Sequence, residues 1–332
     1  VIDCLTYMEM FIENAGFERL TQVWQNKEGS LVWPGPFILP PWLETWWQVF
    51  GSSYRPYLKI ACSGREPVGI APLKTCGTTV TFMGSADICD YQDFVVRKDC
   101  AGVFFTMLLD EIATGGFKRL ELRHVKAGSA VMTNLVPVAR ARGFRVEVEP
   151  EASSFEIELP GTFESYLAAL EKKQRHELRR KLRRLSGAGS PSFFFTGHET
   201  ANDCCMDSFL GLFRLNQAKN SFMAPAMEQF FRLMARRLAG ERLLRFGSLR
   251  LDNREVAMVI VFDYNNTVYL YNSAYDPAFS QISPGLVSKV LAIRESIRMS
   301  RRCWDFLKGE EPYKRYLGGQ KVDLYGVEIE IG

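Results

Sequence analysis

Val268-Tyr269-Leu270-Tyr271-Asn272-Ser273-Ala274-Tyr275, followed by Asp276-Pro277-Ala278-Phe279-Ser280-Gln281-Ile282-Ser283-Pro284-Gly285, decides how the chain is read. The first segment is aromatic and aliphatic, and Asn265-Asn266 stands just before it, so it reads as a strand entered from a tight turn. The second is rich in breakers and reads as a loop that ends at a helix. Leu286, Val290, Ile293 and Ile297 recur at spacings of three and four and predict that helix, from Pro284 or Gly285 to about Met299. Ser283 suits its N-cap, and Pro284 its first position, where a missing N–H costs nothing. Gly285 permits close approach of a ligand to the backbone. Unpaired N–H groups and the positive end of the helix dipole then make an anion site. Cys303-Trp304-Asp305-Phe306-Leu307 reads as the next strand, and Lys308 to Tyr316 as a polar loop after it. This layout suits a phosphate-bearing cofactor; an ordinary strand–helix–strand crossover would leave the same pattern.

Moving upstream, Leu243 to Leu251, Val256 to Tyr264 and Val268 to Tyr275 form a run of three strands. A similar run stands in the first half: Tyr57 to Cys62, Pro67 to Lys74 and Val80 to Met83. In each half a helix and a strand follow, Gly102 to Ile112 with Arg119 to Arg123, and the Pro284 helix with Cys303 to Leu307. A helix precedes each run, Pro40 to Phe50 and Met206 to Gln217. The repeat is one of pattern and not of residue identity, as two copies of one supersecondary unit give. Pro150-Glu151-Ala152 is the expected junction, which divides the chain into domains 1–151 and 152–332. Only the second copy carries the anion loop, so the cofactor is expected there. Ser129 to Arg142 reads as a helix, and Phe144 to Val148 as a strand. The aromatic face of Trp42, Trp46, Trp47 and Phe50 reads as core.

The chain has 332 residues, enough for two cores, and its net charge of +3 points to no nucleic-acid binding by the whole molecule. Basic residues concentrate in one place. Thr162 to Leu185 reads as a single long helix with Leu167, Leu170, Leu178, Leu182 and Leu185 on one side. Lys172, Lys173, Arg175, Arg179, Arg180, Lys181, Arg183 and Arg184 crowd the other. A solvated face complementing the helix dipole explains part of this charge, and a phosphate-bearing partner the rest. Base-stacking aromatics are absent from the run, which argues against sequence-specific RNA recognition.

The eight cysteines include no Cys-x-x-Cys pair, and His124, His176 and His198 lie near no cysteine cluster at zinc spacing. They read as reduced thiols of a cytoplasmic protein, without a metal. Asp87, Asp90 and Asp93 lack the bent glycine of a calcium loop and read as turn and hydrogen-bonding residues. No apolar run is long enough to span a bilayer, and no basic–apolar–small leader opens the chain. Val1 is not Met, which leaves the natural start open.

Several segments stand in the order of a known family. They are Gly69-Ile70-Ala71-Pro72-Leu73, Asp90-Tyr91-Gln92-Asp93, the basic helix at Lys173 and Arg175, Tyr275 to Gly285, and Trp304 to Lys314. On these residues the chain resembles GNAT-type acyltransferases of the cellulose-biosynthesis-associated (CelD-type) family. That family is similar to the Fem-type peptidoglycan-bridge aminoacyltransferases, which carry two GNAT-like domains in tandem. The resemblance runs from about Phe37 to Tyr316. It implies an α/β fold with mixed sheets in two tandem GNAT-like domains, the first without cofactor. It also implies transfer of an acyl group from acyl-CoA, acetyl-CoA above all, to an amine. The acceptor would be a small molecule or a glycan precursor of cell-envelope or exopolysaccharide biosynthesis. Tyr271, Asn272 and Ser273 would then line the pantetheine, and Gln281, Ser283 and Gly285 the pyrophosphate. Asp305 would take the amine proton, and Tyr313, or in its place Tyr275, would protonate the leaving thiolate. Lys173, Arg175, Asp90, Asp93 and Lys314 would contact the acceptor. Gln281 to Gly285 departs from the family's Gln/Arg-x-x-Gly-x-Gly/Ala loop, since Pro284 stands at the first glycine. Two alternatives remain: an aminoacyltransferase using aminoacyl-tRNA, with tRNA phosphates along the basic helix, and a non-catalytic scaffold of a polysaccharide assembly. No heptad arm of the Fem type occurs.

Overall fold

The computed structural model describes residues 10–26, 29, 31–197, 203–216 and 222–332. Cys4, His198 and Gln217 lie outside them. Val1–Ala152 with Asp323–Gly332 forms one compact unit, and Ser153–Val322 another.

The first unit contains β1 (Met10–Asn14), α1 (Phe17–Gln25), α2 (Pro40–Phe50), β2 (Arg55–Ser63), β3 (Glu66–Cys76), β4 (Thr79–Phe82), β5 (Val95–Val96), α3 (Ala101–Thr114), β6 (Arg119–Lys126) and α4 (Val136–Ala141). β1 to β4 pair antiparallel in sequence order, and β6 joins β4 in parallel after the α3 crossover. Phe104, Phe105, Leu108 and Leu109 of α3 pack on Val80, Leu120 and Leu122. Trp42 and Trp46 of α2 are buried in the core, and Trp47 and Phe50 are half-buried beside them. The expected helix from Ser129 begins with a π turn, Val131–Leu135. Pro137, which has no N–H to donate, sits at the start of α4 just after it.

β7 (Arg145–Glu158) carries the chain from the first unit into the second. There follow α5 (Phe163–Ala169), α6 (Lys172–Gly187), β8 (Pro191–Phe195), α7 (Asp203–Arg214), α8 (Pro225–Gly240), β9 (Leu244–Leu251), β10 (Arg254–Tyr264), β11 (Thr267–Tyr275), α9 (Pro284–Arg298), β12 (Cys303–Lys308) and α10 (Pro312–Tyr316). β9, β10 and β11 form an antiparallel meander, and β12 joins β11 in parallel after α9. The first unit has the same order of strand run, helix and parallel strand. Asn265 and Asn266 both have positive φ, 48° and 59°, as a two-residue primed hairpin turn requires. Val290, Ile293 and Ile297 of α9 are buried with Val259, Val261, Val268 and Trp304. Each such side chain contributes roughly 1.5–3 kcal/mol on burial.

Several expectations need correction. The strand expected from Phe144 to Val148 runs on to Glu158, through the expected junction, and Pro312–Tyr316 of the expected polar loop forms α10. Thr162 to Leu185 is not one helix: Leu170 and Glu171 are extended, with ψ of 152° and 146°. Leu170 instead buries its side chain in the core of the second unit, and α6 restarts at Lys172. The last strand, β13 (Gln320–Glu330), does not stay with the second domain. It pairs antiparallel with β6 from Leu324↔Lys126 to Glu330↔Arg119. Its apolar side chains Val327 and Ile329, with Ile331 after it, join the first core.

Candidate active site

β11 and β12 part company early. Their pairing covers Thr267↔Cys303, Val268↔Trp304 and Tyr269↔Asp305. β11 continues to Tyr275 and β12 to Lys308. Both strands are irregular at this point. On β11 the register with β10 shifts between Ile260↔Asn272 and Val261↔Leu270, which leaves Tyr271 as the extra residue of a bulge. On β12 the register with β7 shifts between Asp305 and Lys308, and Leu307 takes φ 63°. Bulges bend and twist a strand, so the two irregularities turn β11 and β12 apart. Beyond Tyr269 the edge of β11 that faces β12 therefore has no strand partner among the described residues. An extended amide chain can pair with such an edge.

Polar groups flank the opening on both faces of the sheet. Alternation puts Asp305 opposite to Trp304 and Phe306. Asp305 is 1% exposed, and one oxygen accepts the Leu307 N–H at 2.7 Å, which secures the bulge. Burial first, and the neighbouring Asp305 carboxylate second, push the Tyr269 phenol far above its ordinary range. Tyr271 packs its ring on Phe262 and on Phe231 of α8, with centroids 4.7 and 5.5 Å apart. The Asn272 side-chain oxygen Oδ1 accepts the Ser273 N–H at 2.8 Å. On the α9 face, Lys289 donates to Ser273 Oγ at 2.9 Å and to the Gly285 carbonyl at 2.7 Å. Its ammonium lies 4.9 Å from the centre of the Tyr313 ring. Burial, with a smaller contribution from Glu311, raises the Tyr313 phenol well above its ordinary range, so it keeps its proton at neutral pH.

The loop between β11 and α9 meets the basic helix. Asp276 accepts the Ala278 N–H at 2.9 Å and pairs with Arg254 at 2.7 Å, which fixes the turn Pro277–Ile282. Lys181 of α6 donates to Ser283 Oγ at 2.8 Å, and Arg184, one turn on, donates to the Gln281 carbonyl at 3.1 Å. Two cations and the positive end of α9 thus meet at one loop. Ser283 does not cap α9 with its side chain. It is left-handed, φ 53° and ψ 51°, and makes no side-chain cap bond. Its carbonyl instead accepts the N–H groups of both Leu286 and Val287, which leaves fewer helix donors for an anion than expected. Gly285 has a structural reason: a Cβ there would stand 2.7 Å from Cδ1 of Tyr275.

The other expected site residues are spread more widely. Lys314 is 1% exposed, and its ammonium donates to the carbonyls of Leu307, Lys308 and Gly309 at 3.0, 2.6 and 3.0 Å. An ammonium has three donors, so Lys314 holds the loop after β12 and has none left for the substrate contact expected of it. Lys173 is exposed, and Arg175 donates to the Ala168 carbonyl at 2.9 Å, just ahead of the helix break; neither reaches the loop that Lys181 and Arg184 hold. Asp90 and Asp93 lie in the first unit. Asp93 accepts the N–H groups of Ala130 and Val131 at 2.8 and 3.2 Å, a cap for the helix that follows; Asp90 is half-buried in the same loop. Lys289 was not expected at the site. Its signal was a cation three residues after Leu286 and four before Ile293, on the apolar side of the helix. Among the described residues no group of His, Cys, Asp and Glu is placed to hold a metal ion, and no helix is long and apolar enough to cross a membrane.

Residues 172–315 match the family described as "Acetyltransferase (GNAT) domain". No curated protein sequence matches the chain. The crystal structure of FemX is similar in fold, with a TM-score of 0.68 and 11% identity, covering 96% of each chain. A conserved protein of unknown function from Bacteroides thetaiotaomicron has a TM-score of 0.60 and 11% identity, covering 96% of this chain and 99% of that one. The C-terminal domain of a putative lysylphosphatidylglycerol synthetase from Agrobacterium fabrum has a TM-score of 0.59 and 11% identity, covering 94% and 90%. The segment that matches a GNAT acetyltransferase domain is thus the one that holds the parted strands, the loop before α9, and the basic helix above it.

Proposed function

We propose that the protein is an N-acyltransferase that moves an acyl group from acyl-CoA to an amine. The observation that carries this reading is the parting of β11 and β12 after Tyr269 and Asp305, beside a helix N-terminus held under Lys181 and Arg184. The residues fit the co-substrate: an open strand edge for the pantetheine amides, and two cations with a helix N-terminus for the pyrophosphate. The thioester supplies an already activated carbonyl when bound. The protein then has to align it with a deprotonated amine and manage two protons. A backbone N–H of β11 near the Tyr271 bulge polarises the carbonyl. Asp305, directly or through a water, takes the proton of the amine, and Tyr313, kept protonated by its burial, donates to the sulfur. Tyr275, packed on Gly285, is the second candidate donor.

The acceptor in this reading is a small amine or an amine-bearing cell-envelope precursor, as the CelD-type and Fem-type resemblance implies. A second reading, an aminoacyl-tRNA donor, draws on Lys172, Lys173, Arg179 and Arg183, which are exposed along α6. Thermal shift separates the two readings, since a ligand bound only by the folded state raises the midpoint. Acetyl-CoA, a longer acyl-CoA, free CoA and an aminoacyl-tRNA are compared, followed by thiol release across a panel of amines. A rise with the CoA compounds and amine-dependent thiol release are expected. A rise with the tRNA alone would favour the second reading, and no response to any of them would sink both.

A further inference from the structure

Lys289 is 7% exposed on a helix whose neighbouring side chains are almost all apolar. Burying an ammonium costs several kcal/mol unless its surroundings answer the charge. Here three elements answer it: Ser273 Oγ of β11, the Gly285 carbonyl in the first turn of α9, and the face of Tyr313 on α10. These are the open strand edge, the turn next to the anion loop, and the proposed proton donor. A leucine at the position would fill the core more cheaply.

We propose that Lys289 is the positioning residue that holds Tyr313 against the open edge of β11 and stabilises the negative charge its oxygen acquires on giving up its proton. This rests on the acyltransfer reading. In the step concerned the new C–N bond forms as the C–S bond breaks. The sulfur leaves with the bonding pair and takes the Tyr313 hydroxyl proton, while the amine proton goes to Asp305. Exchange with solvent then returns a proton to Tyr313 and removes one from Asp305. During the step the half-buried Tyr313 side chain turns anionic at its oxygen. A fixed cation over the ring lowers the cost of that charge, an effect that grows as the surroundings exclude water. The second donor bond, to Ser273, ties the ring to the strand residue just beyond the Tyr271 bulge.

Lys289→Gln removes the charge and keeps a donor; Lys289→Arg keeps the charge. In Lys289→Gln kcat is expected to fall about tenfold to a hundredfold, up to the lower end of what general acid catalysis contributes, with KM for acyl-CoA within about twofold of the parent. Lys289→Arg should recover most of the loss. A readout independent of turnover is the fluorine spectrum of protein labelled with 3-fluorotyrosine, the Tyr313 resonance being identified with Tyr313→Phe. That resonance should move in Lys289→Gln and return toward its place in Lys289→Arg. Parent-like kcat with an unmoved resonance would overturn the proposal. So would equal losses of melting temperature, CoA binding and turnover in both variants, which would make Lys289 part of the core alone. If the parent itself transfers no acyl group, the acyltransfer reading fails. The resonance then still reports whether Lys289 holds Tyr313, and an unmoved signal refutes that contact by itself.

Discussion

At the residue scale, Asp305 and Tyr313 face different demands. Asp305 is buried and already holds the Leu307 N–H; Tyr313 sits between the Phe306 ring and the Lys289 ammonium. Steady-state kinetics on Asp305→Asn and Tyr313→Phe should each show turnover lowered by about a hundredfold, with CoA affinity by calorimetry little changed. Full activity in both variants would remove these roles. Collapse of the fold in Asp305→Asn would make the carboxylate a bulge holder and nothing more. Gly285 gives a second residue-scale expectation. Because a Cβ there meets the Tyr275 ring at 2.7 Å, Gly285→Asp must displace the ring as well as place a negative charge beside the anion loop. Calorimetry should show CoA binding weakened at least tenfold, on the scale of one unfavourable charge contact. Parent-like binding would put the cofactor elsewhere.

At the element scale, α6 acts through one stretch of its length. Lys181 and Arg184 are about one turn apart and both bond the loop before α9, whereas Lys173 and Arg175 lie near the start of the helix. Changing Lys181 and Arg184 together to Gln should weaken CoA binding and flatten its dependence on salt, because screening acts on the charges removed. The same exchange at Lys173 and Arg175 should leave CoA binding as it was. Neither change should move the melting temperature by much, since exposed or half-exposed charges contribute little to stability. Titrations at two salt concentrations check this; equal effects of the two double variants would make α6 a diffuse basic surface instead of a two-residue clamp.

For the molecule as a whole, the first unit has a pH-sensitive point of its own. Burial lifts the Asp93 carboxyl from its ordinary 3.8 to about 6, against the opposing pull of the Ala130, Phe94 and Val131 N–H groups. The folded state therefore holds a proton between these values that the unfolded chain has lost. By linkage, the contribution of Asp93 is fully present below about pH 4 and is lost as pH rises through about 6. Melting of the whole chain from pH 4 to pH 7 should show this falling component, on the order of 2–3 kcal/mol if no other group offsets it. Asp93→Asn should lack it. A parent and variant with parallel pH profiles would mean that the helix N–H groups keep the carboxylate charged throughout.

The sequence by itself determined the strand run of each half and the helix and strand that follow it. Apolar spacing placed α9 to within a residue, Asn265-Asn266 placed its hairpin turn, and alternation set Asp305 on the face opposite Trp304 and Phe306. These are local matters of turn chemistry and periodicity, written in residues a few positions apart. The tertiary structure decided which polar groups meet. Lys173 and Lys181 are the same residue type on one helix, and only the packing of α6 over the loop before α9 separates an exposed lysine from one that bonds Ser283. Lys314 looked like a substrate contact until three backbone carbonyls took its donors. Lys289 drew no reading from the sequence, and only the fold surrounds it with Ser273, Gly285 and Tyr313. The break at Leu170 and the return of β13 to the first unit have the same origin. Long-range burial outweighed local preference, because one buried leucine contributes more than the few tenths of a kcal/mol by which helix propensities differ.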